Sequence, residues 1–140
     1  MAKYREELPQ LSNELFLTDG GLETTLMYHD GIDLPHFAAF DLLASKQGSE
    51  KLRDYYATYA EIAQKRGLGL VLETPTWRAS RDWGVKLGHD EAALAKLNEE
   101  SVLLLQAIRD RFETERTPIV ISGNRAVIGR PPGRVLEIIA

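Results

Sequence analysis

Asp19-Gly20-Gly21 sets a carboxylate beside two residues without side chains, where the apolar run Leu15-Phe16-Leu17-Thr18 gives way to a helical pattern from Leu22. That order reads as a buried strand, a sharp turn and the start of a helix. Glycine lets the backbone bend tightly or come close to a ligand. The next free amides would then sit at the start of a helix, a place that favours an anion. A carboxylate acceptor next to amide donors suits a free amino acid, which offers an ammonium and a carboxylate together. The same residues admit a plainer role, with Asp19 capping the helix and the glycines serving only the turn.

A second polar group leaves the apolar run Leu68-Gly69-Leu70-Val71-Leu72 as Glu73-Thr74-Pro75-Thr76-Trp77-Arg78. A run apolar on both faces is expected of a parallel strand buried between helices. In parallel α/β folds the carboxyl ends of such strands face the ligand. Glu73, Thr74, Thr76 and Trp77 are therefore candidate binding residues. In the alternative, Glu73 pairs with Arg78 and Trp77 covers the sheet edge. His29, His36 and His89 lie far apart and read as surface or loop residues rather than metal ligands. There is no cysteine, so no disulfide, thiol nucleophile or thiolate metal site can come from this chain.

The elements that must position these residues are legible in order. A polar lead-in runs to about Asn13, with Pro9 breaking any early helix. After the first strand a short helix is predicted from Leu22 to about Tyr28, then a loop over His29–Asp33 and a compact apolar helix from Pro35 to about Ser45. Ser49 opens a strong helix whose apolar face is Leu52, Tyr55, Tyr56, Tyr59, Ile62 and Ala63, ended by Gly67. The three tyrosines could form a stacking surface, but core packing is the reading taken. A short helical connection around Trp83-Gly84 and Leu87-Gly88 follows. Asp90 caps a long helix to about Glu113, with Leu94, Leu97, Leu104, Leu105, Ile108 and Phe112 as its stripe. Pro118–Gly123 is the third strand. Strands separated by helices predict an α/β fold of parallel βα units.

A chain of 140 residues suits one domain with a real core. Its net charge of −4 argues against nucleic acid as a partner. No apolar run approaches the roughly 20 residues that span a bilayer, and the first residues lack the apolar core of a signal peptide. A cytoplasmic protein without a membrane partner is expected.

Thr18-Asp19-Gly20-Gly21-Leu22-Glu23-Thr24 resembles the opening of the homocysteine S-methyltransferases. Tyr59-Ala60, the approach Gly67–Val71, and Glu73-Thr74-Pro75-Thr76-Trp77-Arg78-Ala79-Ser80 resemble the second βα unit of that family, and Ile119–Gly123 its third strand. The likeness covers about Leu15 to Asn124. It implies a TIM (β/α)8 barrel, of which residues 1–124 would supply three of the eight strands as its N-terminal portion. It implies methyl transfer to the homocysteine thiol, giving methionine, with a sulfonium, betaine or folate as donor. Asp19 would then meet the amino group of homocysteine, and the amides of Gly20, Gly21 and Leu22 its carboxylate. Glu73, Thr74, Thr76 and Trp77 would line the same mouth.

Two departures limit what the resemblance implies. The complete family barrel holds zinc on three late cysteines, which bind and deprotonate the thiol; this chain has none, and no catalytic or metal-binding residue is assigned in it. After Asn124 the family continues with a Gly-Pro-Arg-Gly kind of loop, whereas residues 125–140 turn to Arg, Pro and Gly. They read as a divergent tail, from a shifted reading frame, an artificial gene end or a genuine short protein. The expectation is a truncated member, inactive alone, that self-associates through open strand edges or behaves as a loose compact state. The alternatives are a small non-catalytic module binding an amino acid or anion, and an interaction protein.

Overall fold

The computed structural model describes residues 3, 4 and 6–123. Three short strands, β1 (Phe16–Thr18), β2 (Gly69–Glu73) and β3 (Ile119–Ser122), form one parallel sheet in the order β1-β2-β3. Between them lie α1 (Leu22–Thr24), α2 (Lys46–Arg66), α3 (Arg81–Lys86) and α4 (Glu91–Phe112). The expected α/β class with parallel βα units is the one observed. The divergent tail expected over 125–140 lies outside the described residues.

Register decides what each sheet face carries. Leu17 sits beside Leu70 and Leu70 beside Ile119, while Leu72 sits beside Ile121. These five share one face and pack with Leu52, Tyr56 and Ala63 of α2 and Leu105, Ile108 and Phe112 of α4. Phe16, Val71 and Val120 alternate to the other face and belong to neither apolar cluster of the described residues. Continuous apolarity in β2 thus serves two faces, of which one carries the helices.

Local chemistry explains most helix ends. Asp90 accepts from the Ala93 amide at 2.7 Å and starts α4, as expected. Gly67 closes α2 at φ 62°, the left-handed region that glycine enters freely. Four expectations need correction. α2 begins at Lys46, because Ser45 and not Ser49 is its cap, accepting from the Gly48 amide at 3.0 Å. Ile62 is 47% exposed, and Ala60 takes its place in the core. The run after Pro35 is two 3-10 turns, Pro35–Phe37 and Ala39–Ala44, because His36 and Phe37 have φ of 59° and 55° and break the helix. Pro9 does not break a helix; it opens the short turn Pro9–Leu11, where its missing amide costs nothing. The stretch after Leu22 stays helical to His29, but with a wide turn over Thr25–His29.

The lead-in is tied to the amino end of β3. Glu113 accepts from the Lys3 ammonium, the Tyr4 hydroxyl and, at 3.0 Å, the Ile119 amide. Burial pushes the Glu113 carboxyl up, but those donors outweigh it and hold the group below its usual value. A folded-state value below the unfolded one stabilises at high pH, and the benefit is lost as pH falls through the folded value. Glu113→Gln is therefore expected to be less stable at neutral pH by roughly 1 kcal/mol, screened as the partner Lys3 is exposed. Urea midpoints of the two proteins should converge in acid.

Candidate functional site

The Asp19 amide donates to the Val71 carbonyl at 3.3 Å, which carries the strand ladder one residue past β1. Its carboxylate Oδ1 accepts from the Glu73 amide at 2.9 Å. Asp19 therefore does not cap α1. Gly21 occupies that position at φ 69°, ψ 32°, with no side-chain cap bond. This leaves Oδ2 of a half-buried carboxylate unpartnered among the described residues. Burial pushes the Asp19 carboxyl up, the charges of Glu73 and Glu23 add to this, and the Glu73 amide opposes it.

The amides of Gly20, Gly21 and Leu22 take part in none of the backbone hydrogen bonds outside the helices and strands of the described residues. A side chain begun at Gly20 or Gly21 would meet nothing within 4 Å. The Leu22 side chain itself is buried in the core, so that residue offers only its amide. Asp19, these amides and Glu73 thus meet at the carboxyl ends of β1 and β2. Glu73, paired in register with Ser122, is exposed on the same sheet face as Thr18.

The other expected residues are arranged differently. Thr74 is buried, and its Oγ1 lies 2.7 Å from Thr76 Oγ1. Thr74 also packs tightly on Gly123, where an added Cβ would come 2.0 Å from its hydroxyl. The two threonines bond to each other rather than to Asp19. Trp77 is 69% exposed and does not cover the sheet. Arg78 does not pair with Glu73; its guanidinium lies 4.5 Å from the Trp77 ring and 4.3 Å from the Trp83 ring, and it donates to the His36 carbonyl.

Three residues that matter at this site were read from the sequence only as core. The hydroxyls of Tyr55 and Tyr59 both donate to the Gly20 carbonyl, at 2.8 and 2.9 Å. That of Tyr56 donates to the Glu73 carbonyl at 2.8 Å. Burial pushes the Tyr55 and Tyr56 hydroxyls up, and the Asp19 charge adds to both, so they remain protonated donors. The signal was present in the residue type. A buried tyrosine needs a partner for its hydroxyl where phenylalanine does not.

These residues do not fit a zinc centre. Among the described residues no group of three His, Cys, Asp or Glu side chains could hold a metal ion. His89 Nε2 is 2.6 Å from Asp41 Oδ1, and the His36 ring lies 5.6 Å from that of Trp83. No helix among the described residues is long and apolar enough to cross a membrane.

The family model described as homocysteine S-methyltransferase matches residues 16–132, a span that contains all three strands and the Asp19 turn. Neither the curated proteins nor the solved structures contain a match. A match over most of the chain, starting at β1, decides the relationship. The chain belongs to the homocysteine S-methyltransferase family.

Proposed function

We propose that the ends of β1 and β2 form the amino-acid-binding part of a homocysteine S-methyltransferase, carried on the first βα units of a TIM barrel. The barrel reading is supported by strand order. Consecutive strands are consecutive neighbours, with α2 and α4 packed on one face, as in a singly wound barrel. A doubly wound sheet would reverse direction and cover both faces. Residues 1–124 are read as three of its eight strands.

The observation that carries the functional reading is the pairing of one free carboxylate oxygen on Asp19 with the unpaired amides beside it. Asp19 accepts from the ligand ammonium, while the amides of Gly20, Gly21 and Leu22 meet its carboxylate. The thiol then projects from a fixed backbone. Glu73 stands at the same mouth; Thr74, Thr76 and Trp77 line it farther off. Zinc chemistry in this family would stabilise the thiolate; this chain has no cysteine to hold the metal, and among the described residues no three His, Asp or Glu side chains gather to do so. It binds and orients but does not activate sulfur, so alone it is expected to lack methyltransferase activity.

Titration calorimetry with L-homocysteine and with 4-mercaptobutyrate, which keeps the thiol and carboxylate but lacks the amine, tests this. Binding of the first, and binding of the second weaker by about tenfold or more, is expected from loss of a charged hydrogen bond. Equal binding would remove Asp19 from the site. Absence of binding to either would favour the interaction-protein reading.

A further inference from the structure

The Gly20 carbonyl accepts two phenol hydroxyls, from Tyr55 at 2.8 Å and from Tyr59 at 2.9 Å. A carbonyl oxygen has two lone pairs, so both are engaged. The two rings touch at 5.2 Å between centroids, and Tyr55 meets Tyr56 edge-on at 5.1 Å, so neither phenol swings freely. The peptide is planar and trans, which places the Gly21 N–H on the opposite side from the carbonyl and its two donors. That N–H has no backbone partner among the described residues, and a Cβ on the same residue would meet nothing within 4 Å.

We infer that Tyr55 and Tyr59 are positioning residues, whose joint hold on the Gly20 carbonyl turns the Gly21 N–H outward as the donor for a ligand carboxylate. This deepens the proposed amino-acid site and rests on it. Bonds to the carbonyl also polarise the peptide and make its N–H a stronger donor. Burial alone does not account for the pair. Tyr59 is half-buried and could give its hydroxyl to water, yet it converges on the same oxygen as Tyr55. Glycine is needed at position 21 because φ there is 69°. The turn can hold this peptide orientation without strain, and the tyrosines select it.

The test uses an accident of sequence. Gly20-Gly21 is the one Gly-Gly pair in the chain. Labelling glycine with carbonyl-13C and amide-15N therefore gives a single carbonyl–amide correlation, reporting the Gly20 carbonyl and the Gly21 N–H together. The expected result is a Gly21 proton that moves on titration with L-homocysteine. In the Tyr55→Phe/Tyr59→Phe variant the Gly20 carbonyl resonance should move upfield without ligand, and L-homocysteine should bind about tenfold more weakly. Tyr59→Phe alone, at a half-buried position, should show part of both effects and serves if the double variant does not fold. An unmoved carbonyl resonance, or unchanged affinity despite a moved one, would overturn the positioning role. Wild-type protein that binds no L-homocysteine while the carbonyl still responds to the variants would overturn the site reading instead.

Discussion

Gly48→Ala is expected to cost about 2–3 kcal/mol, although it replaces glycine by a better helix former. The propensity gain is about 1 kcal/mol. Against it stands a steric conflict with backbone, not with a movable side chain. A Cβ at position 48 would lie 2.1 Å from the Leu42 carbonyl oxygen and 2.8 Å from its carbonyl carbon. The Leu42 oxygen also accepts from the Ser45 amide at 3.2 Å, so it cannot retreat without loosening the turn that leads into α2. Gly48 is buried as well, and its own amide is held by the Ser45 cap. Urea unfolding at one fixed protein concentration measures the effect. Gly20→Ala, whose new methyl meets nothing within 4 Å, should leave that midpoint nearly unchanged. Equal midpoints for Gly48→Ala and the native chain would mean that α2 does not cross Leu42 as closely as described.

A larger effect is expected in the assembly state. Among the described residues β1 and β3 each pair on one side only, with β2 between them. Parallel strand edges left open invite another chain, and parallel sheets are normally covered on both faces. Leu103 and Ile62 are each 47% exposed on the long helices, and Val85 is 68% exposed on α3. Each large apolar side chain left in water forgoes roughly 1.5–3 kcal/mol, while a domain is stable by only about 5–15 kcal/mol. A few such residues take up much of that margin. The purified chain is therefore expected to self-associate, with a scattering mass that rises with concentration and a broad thermal transition. A monodisperse monomer with one sharp two-state transition would contradict this and mark an independent small domain.

Much of the scaffold was legible because its signals are local. Asp90 reads as a cap and Gly67 as a helix end from residue type alone, and β2 reads as a strand from its unbroken apolarity. Where the reading failed, the outcome rests on features that the local pattern does not show. Nothing local marks Gly48 as a crossing point, yet the Leu42 backbone passes too close to it for any side chain. The apolar string after Pro35 looks helical, yet it bends at His36 and Phe37. At the site, Asp19 was identified by its glycine neighbours, while its bond to the Glu73 amide depends on strand register that no local pattern reveals. The tyrosines fit a helical stripe equally well as packing. Only the fold brings their hydroxyls to the carbonyls of Gly20 and Glu73.

The role of Asp19 separates binding from stability. Its folded-state pKa is raised, so its contribution to stability is complete below the unfolded value and is lost as pH rises through the folded one. At neutral pH the ionised carboxylate is thus a burden on folding that a ligand ammonium would relieve. Asn at this position can still accept from the Glu73 amide without the charge. The decisive measurement is titration calorimetry of L-homocysteine into wild type and Asp19→Asn at neutral pH, with urea midpoints of both. Binding weakened by about 1–3 kcal/mol, with a midpoint equal to wild type or slightly higher, is the expected result. Unchanged affinity together with a clear loss of stability would make Asp19 a structural residue and contradict the amino-acid site.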